Sequence, residues 1–146
     1  MRLFSEPIND LMAAMDAQVV RASHPKRALV IVLVATLATW WIYVPLHVLL
    51  HAVGCYVTGG SVTELQIASE YGGALFARFL PFVVGASDYA GRLSGFDTKG
   101  SDLIYLATDA LPFTLSIFIG VPLLKACARG GRPALLGAAV VLALAP

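Results

Sequence analysis

Apolar residues fill positions 28–57 almost without a break, and polar character returns only at Thr58-Gly59-Gly60. At about 1.5 Å per residue such a segment makes a helix of roughly 45 Å, longer than a hydrocarbon core of about 30 Å. It is predicted to cross a membrane, with tilt, projection or a kink at Pro45 absorbing the excess. A second apolar run, 102–124, carries Asp109, Pro112 and Pro122 and predicts a returning span. Between the spans, Val62, Leu65 and Ile67 sit in a half-polar stretch that suits one short strand, closed by Gly72-Gly73. Residues 74–86 are apolar but hold Arg78 and Pro81 and are too few to cross easily, which predicts a re-entrant or interfacial segment. Residues 87–101 read as a polar loop, and 133–146 as an apolar helix short for a full crossing. Ahead of the first span, Ile8, Leu11, Met12, Met15 and Val19 recur at helical spacing behind a Ser5 N-cap, with Glu6 and Pro7 in the first turn. This predicts an amphipathic helix over 5–20, lying on the membrane surface or packed on a partner.

Composition supports the membrane reading. Of 146 residues 58% are hydrophobic and 13% charged, against about 25% charged in a typical soluble domain. The expected fold class is an all-α integral membrane protein, with residues 1–27 as an amphipathic helix and basic cluster and 28–146 as the membrane domain. Arg21, Lys26 and Arg27 before the first span, and Lys125, Arg129 and Arg132 after the second, share one side if 74–86 does not cross. The positive-inside rule makes that side the cytoplasm, with the N-terminus there; a bacterial inner membrane is the expected setting. Glu6, Asp10 and Asp16 exclude a cleavable signal peptide over the N-terminus. A net charge of +1 with no basic, aromatic-rich patch argues against nucleic-acid binding. In this topology Cys55 and Cys127 fall at opposite ends of the membrane, which argues against a disulfide.

The candidate chemistry lies in His47-Val-Leu-Leu-His51. Histidines four apart share a helix face and can hold one metal ion, and imidazoles in hydrocarbon need a partner, a ligand or a water-lined cavity. By helical rise, His51 lies roughly 9 Å, and Asp109 roughly 10 Å, below the outer boundary on antiparallel spans. Two imidazoles and a carboxylate make a three-ligand zinc set with an open fourth position. Cys55, one turn above His51, is an alternative ligand, and Glu64 or Glu70 an alternative base if its segment folds over the histidines. Other readings stay open. They are histidines that only hydrogen-bond neighbouring helices, a histidine that ligates a haem or chlorophyll-type pigment, and an Asp109 that is protonated or pairs with Arg78. Trp40, Trp41 and Tyr43 read as packing or interface anchors.

His47-x-x-x-His51, followed by Thr58-Gly-Gly60 and the strand pattern from Val62 to Ile67, resembles the core of the site-2 protease (M50-type) intramembrane metalloproteases. The resemblance covers residues 40–70 well and 102–124 weakly. It implies a zinc site at His47 and His51 with Asp109 as third ligand. The family's catalytic glutamate is replaced by Val48, which does no acid–base chemistry, and Ala110 follows Asp109 where the family has glycine. The expectation is a metal-binding pseudoenzyme, a structural or accessory subunit of a larger membrane complex. The alternatives are an active intramembrane zinc protease using another base, and a pigment- or haem-binding subunit of a photosynthetic or respiratory complex.

Overall fold

The computed structural model describes the backbone of residues 2–145 and the side chains of residues 6–145. The chain is mostly helical. In order it forms α1 (Arg2–Met15), a π-helical turn (Asp16–Val20), α2 (Pro25–Val57), β1 (Ser61–Ile67), α3 (Gly73–Phe76), β2 (Val83–Val84), β3 (Gly91–Asp97) and α4 (Asp102–Ala110). A π-helical stretch (Leu115–Gly120), α5 (Val121–Arg129) and α6 (Pro133–Leu144) follow. Two stretches are long and apolar enough to cross a membrane, Pro25–Val57 and Asp102–Arg129. The second is broken by a turn at Leu111 and Pro112, where proline withholds its amide from the helical ladder. At 12 residues, α6 spans about 18 Å, too little for a crossing by itself.

The expectation of an all-α fold needs one correction. Residues 91–97, read from sequence as loop, form a strand, and with β1 and β2 they make a three-stranded sheet in the order β2-β1-β3. The β1–β2 pairing is parallel and the β1–β3 pairing antiparallel. The segment 74–86 forms no helix long enough to cross a membrane: it holds most of the four-residue α3, turns, and the two residues of β2. In β1 the buried positions are Val62, Leu65 and Ile67. Their uneven spacing is reconciled by register shifts between Val62 and Glu64 and between Glu64 and Leu65. Such a bulge takes up an extra residue and returns the later side chains to the core face.

Contacts divide the chain into two units, residues 1–40 with 113–146, and residues 41–112. The first is helical. Ala14, Val19, Val32, Leu124, Cys127, Leu136 and Ala139 form its core. The amphipathic α1 packs along α5, so its partner is a helix of its own chain. The α5 helix ends at Arg129, leaving the Cys127 carbonyl without its usual donor four residues on, and the buried Gln18 Nε2 donates to it at 2.7 Å. The second unit packs the C-terminal half of α2 against the sheet and α4 around Val48, Ala52, Cys55, Val62, Leu65, Ile67, Val83 and Ile104. Each fully buried leucine contributes about 1.5–3 kcal/mol of transfer free energy; Leu65, Leu124 and Leu136 are such residues.

Candidate functional site

Val44, Val48, Ala52 and Cys55 make the buried stripe of α2 in the second unit, and His47 and His51 ride on its edge, half-buried. Thr58 Oγ1 donates to the Gly54 carbonyl at 2.7 Å, and Gly60 N–H returns to the Cys55 carbonyl, closing α2 one and a half turns beyond His51. At Gly54 the backbones of α2 and α4 approach so closely that a Cβ there would stand 2.5 Å from the Ala107 carbonyl oxygen. Only glycine admits this contact, and the contact brings His51 beside Thr108.

His51 Nδ1 lies 2.8 Å from the Thr108 carbonyl oxygen. A carbonyl only accepts, so Nδ1 carries the proton, and in the neutral ring Nε2 keeps its lone pair. The acceptor is available for a reason visible in the chain. In a regular helix the Thr108 carbonyl takes the amide of residue 112, but that residue is proline and has none. His47 Nδ1 shares a 2.8 Å hydrogen bond with the Tyr43 hydroxyl, one turn back on the same helix face. The two imidazoles meet edge to face, 5.0 Å between centroids and 74° between planes.

They open on a cleft of about 310 Å³ lined by His47, Val48, His51, Gly91, Arg92, Leu93, Phe96, Tyr105, Thr108 and Asp109. The sequence-derived trio thus borders one cleft. Asp109 is exposed at its edge, and it is not paired with Arg78: among the described residues Asp16–Arg21 is the single ion pair. Also among the described residues, no three His, Cys, Asp or Glu side chains converge closely enough to hold a metal ion as they stand. Val48 is buried and packs on the β3 backbone at Gly91, where an added Cβ would collide with it. The position that holds the base in the resembled family is therefore filled by packing.

The other candidates lie elsewhere. Cys55 is fully buried, with Sγ directed to the Ser61 and Asp97 carbonyls at 3.6 and 4.0 Å. It is a free thiol, as is Cys127. Glu64 accepts from Gln66 at 2.6 Å and from Ser94 at 2.8 Å, and these hydrogen bonds, with Arg92 nearby, hold its carboxyl below the ordinary range. Glu70 borders a separate polar hollow with Gln66, Ser69, Ser87 and Asp88. Neither glutamate lines the histidine cleft. Trp41 borders an apolar groove with Pro45, Leu49, Leu75 and Phe76, while Tyr43 belongs to the histidine site through its hydroxyl. Sequence reasoning missed Tyr43 as a histidine partner, Thr108 and Gly54. Spacing offered two signals: Tyr43 precedes His47 by four, and Thr108 precedes Pro112 by four. No protein-family model, no curated protein and no solved structure matches the chain.

Proposed function

We propose that this chain is an integral membrane protein with a degenerate site-2-protease-like metal site, working as a non-catalytic accessory subunit of a larger membrane complex. Pro25–Val57 and Asp102–Arg129 are its spans. Its basic end and N-terminus lie on the cytoplasmic side, as in a bacterial inner membrane. The observation that carries the metal reading is the pair of Nδ1 hydrogen bonds, His51 to the Thr108 carbonyl and His47 with Tyr43. Metal-ligating histidines are typically fixed this way, with the second ring nitrogen engaged by a carbonyl or side-chain oxygen. His47 and His51 would hold zinc through Nε2, and Asp109 at the rim of the same cleft would complete the set. Zinc there would fasten α2 to α4. Hydrolysis lacks a base, because Val48 is apolar and wedged against Gly91. Docking onto partners is supported by Ile8, Met12 and Val20, which stay exposed at the N-terminal end of the chain although the opposite face is packed.

Elemental analysis with an absorption spectrum, on gently purified protein beside a His47→Ala/His51→Ala variant, tests the proposal. About one equivalent of zinc, lost in the variant, is the expected result; folded protein with no metal would reject it. A visible band lost in the variant would assign the histidines to a haem or chlorophyll-type pigment instead. Chelator-sensitive cleavage of a membrane-embedded peptide, raised by Val48→Glu, would favour an active protease. A chain stable and monodisperse alone would argue against the subunit role.

A further inference from the structure

The connections α1-to-α2 and α5-to-α6 meet at one end of the first unit. Gln18, just before the first connection, bonds to Cys127, and its Nε2 would lie 3.1 Å from a Cβ placed at Gly131 in the second. Further in, Thr36 of α2 reaches the Gly137 carbonyl of α6 at 3.4 Å, so the first halves of α2 and α6 lie against each other. The fold thereby gathers two clusters about a hundred residues apart in the chain: Arg21, Lys26 and Arg27 with Lys125, Arg129 and Arg132. All six are exposed. Among the described residues only Arg21 has an anionic partner, Asp16 at 2.6 Å. The other carboxylates of this unit, Asp10 and Glu6, lie about 9 and 15 Å back along the helix from Asp16. Lys26 and Arg27 also line an open hollow of about 640 Å³ with Ser23, His24 and Pro25 at the start of α2.

We infer that this end binds the phosphate headgroup of an anionic phospholipid. The inference rests on the membrane reading above but not on the metal site. Six cations against one carboxylate, set at the ends of apolar helices, stand where headgroups lie, and such clusters attract anionic lipid at a membrane surface. A soluble polyanion shares the charge but not the location. The hollow adds a concave seat at the start of a 33-residue helix, where the first-turn N–H groups, those of Lys26 and Arg27, can donate to phosphate oxygens.

The test is native mass spectrometry of the detergent-solubilised full chain, titrated separately with phosphatidylglycerol, phosphatidylcholine and inorganic phosphate. Bound phosphatidylglycerol at a fixed ratio, well above phosphatidylcholine, is expected. Lys26→Gln, Arg27→Gln and Arg129→Gln should each cut that preference roughly fivefold, while Lys26→Arg keeps it; circular dichroism checks that each variant is folded. Equal retention of the two lipids would overturn the inference, as would a preference indifferent to the three substitutions. Inorganic phosphate binding as tightly as the lipid would make this a soluble-anion site and also overturn it. The membrane reading fails differently: the chain would then be monodisperse without detergent and would not float with vesicles.

Discussion

The two units solve the same problem, holding apolar helices together, by different means. The first packs helix on helix around Leu124, Leu136 and Ala139, with Gln18 as the buried polar side chain at its base. The second sets half a helix against a sheet, and its polar groups turn inward to a cleft: Tyr43, His47, His51 and the Thr108 carbonyl. One helix, α2, serves both. Over residues 28–37 it buries Ala28 and Val32 while Leu29, Val30, Leu33, Val34 and Leu37 stay exposed, whereas from Tyr43 to Cys55 its buried stripe widens to Tyr43, Val44, Val48, Ala52 and Cys55. The lesson is that apolar sequence alone builds a bundle, while a site needs a partner surface with backbone groups to spare. The sheet covers one side of the cleft, and the proline-broken helix α4 supplies the free carbonyl.

The sharpest way to break this comparison is to remove one core leucine from each unit. Leu136→Ala and Leu65→Ala are each expected to cost about 2–5 kcal/mol, the usual range for cavities in packed cores. If the units open independently, hydrogen exchange will show each substitution loosening its own unit and sparing the other. A single shared transition lowered equally by both would erase the distinction.

Next in size is Gly54→Val, which forces α2 and α4 apart where a Cβ already has no room. Overpacking of this kind costs about 1–3 kcal/mol, and the bond from His51 to Thr108 should lengthen or break. A ring-nitrogen NMR spectrum that still shows a protonated, hydrogen-bonded Nδ1 on His51 would contradict the role given to this glycine. Pro112→Ala is a gentler probe of the same bond. It restores an amide that competes with His51 for the Thr108 carbonyl, an exchange worth about 1 kcal/mol. The Nδ1–H signal should move toward that of a solvent-exposed imidazole; an unchanged signal would mean that proline is not what frees the acceptor.

The smallest effect belongs to Glu64. Its carboxyl is held low by hydrogen bonds from Gln66 and then Ser94. A depressed folded value stabilises the fold above the unfolded value, and the contribution disappears as pH falls through the folded one. Unfolding curves should therefore weaken below about pH 4.5, the ordinary carboxylate range, and Glu64→Gln should flatten that slope. A slope unchanged by the substitution would show that the hydrogen bonds do not favour the charged form.

The histidine spacing was legible because it acts within one helical turn; the release of the Thr108 carbonyl by Pro112 acts over the same range but was not read. The pattern also gave the helix ends near Val57 and Asp102, the lack of a long helix over 74–86, and the strand at Val62–Ile67. Strand β3 was not legible. Gly91-Arg-Leu-Ser-Gly-Phe-Asp97 has few apolar positions, and it becomes a strand because β1 offers a ladder that pairs Leu93 with Leu65 and Phe96 with Val62. Similar depth on two spans suggested that His47, His51 and Asp109 would gather. They border one cleft, but which groups bond was decided by the approach at Gly54, and it put the Thr108 carbonyl, not the Asp109 carboxylate, against His51.

By itself the sequence determined what local periodicity and composition control: long apolar helices, two basic clusters, and two imidazoles on one face with valine between them. Tertiary structure decided what depends on chains meeting: the third strand, the packing of α1 on α5, the gathering of two distant basic clusters, and the partners of each histidine. The physical reason is range. Burial patterns and prolines act over a few residues, whereas a hydrogen bond across 57 residues from His51 to Thr108 exists only after two backbones have closed on a glycine.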